Sequence, residues 1–273
     1  MYFITLSEMI GTNGEKIARQ IAGTLHYDYY GEEELFKAAE ELGFVKDLKQ
    51  LDEKGPTFIE KFFSEKPKIY LDRLQSVIYE VAKKGNALFF GRGSQLMLNS
   101  FNCAFHVLVT GSTEKRVERL MKEMNIEKEV AEKILQRSDQ DKRGFLKFAF
   151  NEDWLNPRLY DLILNTDKLS VESAVKMAID AAKSEEIKAC GVDAVKLLEN
   201  LSLHRRIESA ILDAGVMNST LFITVEDSDS VKIDGLAHNW EEKETIEKVV
   251  KATKGVNKIT NELKLLRASM SGI

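Results

Sequence analysis

The chain has 273 residues, 44% hydrophobic and 30% charged, with 39 Lys+Arg against 44 Asp+Glu for a formal net charge of −5. That composition excludes a disordered or fibrous protein and allows a large core, and the length predicts two domains. The acidic balance argues against a sequence-independent grip on nucleic acid, which rests on a basic surface, so no nucleic-acid partner is expected.

In chain order, Tyr2 to Leu6 alternates as a strand, Gly11-Thr12-Asn13-Gly14 turns, and Ile17, Ala18, Ile21, Ala22 and Leu25 recur at helical spacing. A helix from about Tyr70 to Lys83 leads to a second strand, Ala87 to Phe90, which ends in Gly91-Arg92-Gly93. Ala104 to Val109 is an almost continuous apolar run, as in strands covered on both faces. Helices are predicted over Glu114 to Lys122 and Lys128 to Gln136, then a strand over Tyr160 to Leu164 and a helix from Ser170 to about Ser184. This alternation predicts an α/β fold with a parallel sheet flanked by helices.

The grammar then changes. Leu203 to Leu212 reads as a helix, Leu221 to Val225 and Val231 to Ile233 as a hairpin, Glu241 to Thr253 as a helix, and Ile259 to Leu265 as a last strand. These make a small αββαβ, α+β unit. The expected division is a first domain over 1–185, a linker over 186–200 and a second domain over 201–267.

Cys103 and Cys190 form no C-x-x-C pair and no zinc spacing, and both read as reduced thiols. His26, His106, His204 and His238 form no local ligand pair, so no metal site is expected from them. The N-terminus has no basic start or cleavage site of a secretory signal, and no apolar run approaches the ~18 residues of a membrane span. A cytoplasmic location follows as an expectation.

A glycine turn between a first strand and first helix brings backbone N–H groups, and the positive end of the helix dipole, to an anion. Gly11, Thr12, Asn13 and Gly14 occupy that place, yet the Gly-Lys-Ser/Thr ending of a standard P-loop is absent: Gly14 is followed by Glu15 and Lys16. By itself the loop reads equally as a tight turn or a phosphate site. Arg92, just past a strand at a carboxyl end, suits an anion there; Arg137 and Arg143, six apart, read alone as a solvated helix face. Glu32-Glu33-Glu34 reads as a solvated first helical turn, Ser7 as a strand-capping hydroxyl, and Trp154 as a packing anchor.

Taken together and in order, these segments resemble the cytidylate-kinase-like family, a branch of the P-loop nucleoside monophosphate kinases. Ile4-Thr5-Leu6-Ser7 with Gly11-Thr12-Asn13-Gly14 is similar to that family's strand and lysine-free loop. Tyr27-Asp28-Tyr29-Tyr30 resembles the segment after its first helix, and Phe90-Gly91-Arg92-Gly93 its Gly-Arg-Asp turn, with Gly93 in place of the aspartate. Arg137-Ser138-Asp139-Gln140-Asp141-Lys142-Arg143 resembles its lid, and Asp161 to Thr166 its last strand. Residues 201–267 resemble a BON domain through Val231-Lys232-Ile233-Asp234-Gly235 and Gly255-Val256.

The resemblance implies ATP- and Mg²⁺-dependent phosphoryl transfer to a nucleoside monophosphate, CMP or dCMP foremost. It implies phosphate or nucleotide binding by Gly11, Thr12, Asn13, Gly14, Arg92 and Asp28, and catalytic roles for Arg137, Arg143 and Lys16. The departures at Glu15 and Gly93 motivate an alternative: a weak or inactive nucleotide-binding regulator that signals through the BON-like domain. That domain is an expected contact for a homo-oligomer or a protein partner.

Overall fold

The structure, a computed structural model, describes residues 2–42, 67–187 and 189–266. They fall into two compact units, one within 1–41 and 84–191, the other within 42–83 and 192–273.

In the first unit, β1 (Phe3–Glu8), β2 (Asp28–Tyr30), β3 (Ala87–Phe90), β4 (Ala104–Thr110) and β5 (Leu162–Asn165) form a sheet of order β2-β3-β1-β4-β5. Every pairing is parallel. β1 is central and β4 lies beside it, and both are almost wholly buried, which is why their sequences read as continuous apolar runs. α1 (Gly14–Leu25) lays Ile17, Ala18 and Ile21 against Ile4, Leu6 and Val107. α2 (Glu32–Glu41) follows β2, a short strand that the sequence reading left without a structure.

The predicted parallel sheet is present: β3 has the expected bounds, β4 runs one residue further, and β1 and β5 begin one and two residues later and end two and one residues later than expected. The loops after β1, β3, β4 and β5 all leave from the carboxyl ends, the side on which such sheets bind ligands.

α3 (Pro67–Ala82) belongs to the second unit, although its place in the sequence is within the first. It packs along α8 (Val192–Asp213), a helix that begins inside the expected 186–200 linker. The two helices meet at serines: Ser76 Oγ donates to the Ser202 carbonyl at 3.0 Å, and Ser202 Oγ donates to the Ser76 carbonyl at 3.2 Å. Asp72 is buried beside them and accepts from Arg205 at 3.4 Å, while Arg205 also donates to Glu208 at 2.6 Å. Burial pushes the Asp72 carboxyl up to about 7, outweighing the attraction of Arg205.

α8 leads into an antiparallel hairpin of β6 (Leu221–Asp227) and β7 (Ser230–Ala237), then α9 (Trp240–Ala252) and two short strands, β8 (Lys258–Asn261) and β9 (Lys264–Leu265). β8 and β9 both pair with β7 in parallel. The single last strand expected from sequence is therefore divided, because Leu263 turns into the core shared with Ile207, Val231 and Ile246. Gly235, at φ 116°, is required: a Cβ there would lie 1.9 Å from the Thr220 carbonyl oxygen.

Cys103, at the start of β4, and Cys190 form a disulfide, with Cα atoms 5.2 Å apart. This corrects the reading of both as reduced thiols. The return of the chain after its α/β half brings positions 87 apart within bridging distance, which no spacing rule reveals.

Candidate active site

The loop after β1 is built as a rigid bracket. Gly11 and Asn13 take left-handed conformations, φ 82° and 60°, and Gly14 opens α1. Gly11 cannot be replaced without a shift, since its Cβ would lie 2.7 Å from the Arg116 carbonyl oxygen. The loop carbonyls are fastened from behind. Arg116 Nε donates to the Ile10 carbonyl at 2.8 Å, Arg119 Nη1 to the Gly11 carbonyl at 3.3 Å, and Thr166 Oγ1 to the Thr12 carbonyl at 3.2 Å. Both arginines lie on α5 (Thr113–Met124), counting the one-turn helix Ser94–Met97 after β3 as α4. Thr12 is fully buried, its hydroxyl donating to the Met9 carbonyl at 2.7 Å.

The expected charge at the helix start is redirected. Glu15 faces outward and pairs with Arg19 at 2.9 Å, while Arg19 stacks 4.0 Å above the Tyr29 ring. Lys16 is exposed, and the carboxylate within its electrostatic reach is Glu172, in the first turn of α7 (Val171–Ala182). The structure does not bring Lys16 into the loop.

Two other charged residues, Glu8 and Lys142, come to the loop. Glu8, the last residue of β1, turns its carboxylate toward the start of α1, where the backbone N–H groups of Gly14 and Glu15 donate to it. Burial pushes its pKa up, against the pull of the Lys142 ammonium and these N–H groups. Lys142 donates from its Nζ to the Glu8 carbonyl at 2.5 Å and lies 5.6 Å from the centroid of the Trp154 ring. Burial pushes the Lys142 pKa down, against the attraction of Glu8 and Asp139. Asp139 in turn receives both Arg116 Nη groups, at 3.0 and 2.7 Å.

Lys142 and Asp139 lie on α6 (Lys128–Phe150), an unbroken helix through the segment expected to be a lid. Leu135, Asp139, Lys142 and Leu146 are spaced four, three and four apart, so they share one face. Arg137 and Arg143 fall off that face and are exposed; Arg137 pairs with Asp141 at 3.9 Å. The structure thus gathers Asp139 and Lys142 at the loop, and not the two arginines. Carrying the helical period past Gln136 would have found this pair.

Arg92 lies at the same end of the sheet, in a run of left-handed residues: Gly91, Arg92 and Gly93 have φ of 71°, 60° and 73°. Its guanidinium is largely buried and paired with Glu32, so the first acidic turn of α2 is not simply solvated. Burial pushes the Arg92 pKa down, against the attraction of Glu32. Gly93 is explained locally, since a Cβ there would lie 2.8 Å from the Phe150 ring. Asp28 is elsewhere: it pairs in register with Ala87, at the amino end of the sheet, away from the loop and Arg92.

Ser7 donates to Gln95 Oε1 at 3.3 Å, within a buried network that continues through Tyr160 to the Trp154 carbonyl. Trp154 is the packing anchor expected. His106 is also internal, 2.8 Å from Thr5 Oγ1. No group of three or more His, Cys, Asp and Glu side chains suited to a metal ion occurs among the described residues.

A parallel five-stranded sheet with a helix-initiating glycine loop and a buried arginine, both at its carboxyl ends, defines a nucleotide-kinase-like α/β protein. Residues 3–168 match the model of the cytidylate kinase-like family, and the chain belongs to that family. Residues 202–267 match the BON domain. The chain is 29% identical over 187 residues to a cytidylate kinase of Methanocaldococcus jannaschii, covering 66% of this chain and 98% of that protein. It is 31% identical over 185 residues to a cytidylate kinase of Pyrococcus horikoshii, covering 65% and 88%. An uncharacterized protein from Eubacterium ventriosum shares the fold with a TM-score of 0.56 at 19% identity, over 67% of this chain and 99% of that one. No described helix is long and apolar enough to cross a membrane.

Proposed function

We propose that the protein transfers the γ-phosphoryl group of ATP to a nucleoside monophosphate, with CMP or dCMP as the acceptor. The observation that carries this reading is the similarity to two cytidylate kinases over nearly their whole lengths, joined to a glycine loop and Arg92 at one end of one sheet. Such transfer requires positioning and charge neutralisation more than covalent chemistry.

The loop over Gly11 to Gly14 offers the donor phosphates backbone N–H groups already aimed at an anion, as their bonds to Glu8 indicate. Its carbonyls are engaged by Arg116, Arg119 and Thr166, so the loop reorganises little on binding. Arg92 takes the acceptor monophosphate by exchanging Glu32 for a phosphate oxygen, a charge-assisted bond worth about 1.5–3 kcal/mol. Mg²⁺ brought with ATP would supply neutralisation of the phosphate charge. Arg137 and Arg143 reach the phosphates only if α6 rotates or bends on closure, since both are exposed.

The test is a coupled ADP-release assay over a panel of nucleoside monophosphates. Turnover with CMP or dCMP above the other acceptors is expected, with Arg92→Ala raising the KM for the monophosphate tens-fold and that for ATP little. No turnover with any acceptor at high enzyme concentration overturns the proposal.

A further inference from the structure

The loop lacks the lysine of a standard P-loop, and its expected substitute, Lys16, is exposed. Another ammonium nonetheless reaches this loop, bonded to the Glu8 main-chain carbonyl and within electrostatic reach of the Glu8 carboxylate. The Glu8 carboxylate receives the Gly14 and Glu15 N–H groups at the start of a 12-residue helix. The fit is close: a Cβ on Gly14 would lie 2.5 Å from Glu8 Oε2, so a side chain at position 14 and this carboxylate position exclude each other. The Lys142 Nζ reaches the same residue from α6, 2.5 Å from the Glu8 carbonyl oxygen. It lies 5.6 Å from the centroid of the Trp154 ring and within the electrostatic reach of Asp139, one turn before it on α6, which Arg116 of α5 holds by two hydrogen bonds.

We propose that this anion site is internally occupied: the Glu8 carboxylate stands where a nucleotide phosphate binds, and Lys142 is the phosphate-contacting cation that replaces the missing loop lysine. The proposal rests on the kinase reading for its substrate, a polyphosphate. Two charges explain why such a pair belongs together. A carboxylate on two helix-terminal N–H groups satisfies donors that would otherwise be orphaned. A buried ammonium without a counter-charge would be costly, and Glu8 supplies one until a phosphate does. When the phosphate enters, Glu8 must leave, because both need the same N–H groups and two like charges repel. Glu8 therefore weakens binding, and Lys142 strengthens it.

The opposite signs make the proposal testable with inorganic pyrophosphate as the probe, by calorimetry on the full chain. Glu8→Gln keeps the size of the side chain and one acceptor oxygen without its charge, and should tighten pyrophosphate binding about tenfold or more. Lys142→Met keeps the aliphatic stem and should weaken it tens-fold. In ¹H–¹⁵N spectra, the Gly14 and Glu15 amide signals should move both in Glu8→Gln alone and on adding pyrophosphate to the unaltered protein.

Pyrophosphate affinity within twofold of the original in Glu8→Gln, or no measurable binding by either form at millimolar concentration, overturns the proposal. Should Lys142→Met fail to fold, the Glu8→Gln titration and the amide shifts still decide it. The kinase reading fails separately: pyrophosphate binding that responds to Glu8→Gln without ADP release from any acceptor leaves the occupied site standing and removes the activity.

Discussion

Arg116 is the residue on which the loop and α6 both depend, and replacing it tests that dependence. Its side chain is 3% exposed and its partner Asp139 is 23% exposed. Arg116→Met retains most of the buried aliphatic volume but removes two bonds to Asp139 and one to the Ile10 carbonyl. Breaking a fully buried ion pair costs about 3–5 kcal/mol because the surviving charge is stranded. Water reaches Asp139 in part, which reduces that share to about 2–3 kcal/mol, and the lost bond to Ile10 adds about 1 kcal/mol. A destabilisation of about 3–4 kcal/mol is expected.

The chain has two units, so a single transition cannot be assumed. Its two tryptophans separate them: Trp154 is buried in the first unit and Trp240 is 65% exposed in the second. Urea unfolding followed by Trp154 fluorescence in a Trp240→Phe background reports on the first unit alone. Arg137→Met, at an exposed site on α6, is the control and should change stability by less than about 0.5 kcal/mol. A loss below about 1 kcal/mol for Arg116→Met, or one equal to the control, refutes the argument that this arginine braces the loop.

Other expectations follow from particular contacts. Gly93→Asp should cost about 1–3 kcal/mol, because φ is 73° and the Phe150 ring stands 2.8 Å from the new Cβ; Phe150→Leu in the same chain should recover part of it in a thermal melt. Asp72 has a folded pKa of about 7, above its unfolded value, so the folded state holds a proton that the unfolded state has lost. Stability of the second unit should therefore fall as pH rises from about 4 to about 7, by at most about 1.4 kcal/mol per pH unit, and Asp72→Asn should flatten that slope in urea titrations across the range. Glu208, held at about 2 despite burial by His204 and Arg205, acts oppositely and only below about pH 4.5. Thiol titration of the denatured protein should find no free thiol before reduction and two after. Reduction should lower stability by up to about 4 kcal/mol, as expected for a cross-link over 87 positions.

Much of the architecture was legible in sequence because it depends on local periodicity. β1, β3 and β4 are short apolar runs bounded by turns, and α1 repeats its apolar residues every three to four positions; burial of these patterns is what forms the sheet and its covering helix. The hairpin and helix of the second unit were legible for the same reason. The order of the motifs was enough to indicate the family, and Arg92 and the glycine loop both follow strands at the carboxyl end of the sheet.

Charge placement was decided by tertiary structure. Lys16 comes just after the glycine loop in the sequence yet is exposed, while Lys142, 128 positions after Gly14, reaches the loop because α6 runs unbroken and its buried face continues from Leu135 to Leu146. Asp28 lies at the far end of its strand, a matter of register that composition does not encode. The Cys103–Cys190 bridge and the transfer of α3 to the second unit likewise depend on where distant segments return. Local pattern determines which face of an element is buried; which charge meets which anion depends on the packing of elements far apart in the chain, and at this site that packing brings Lys142 of α6 to Glu8 at the end of β1.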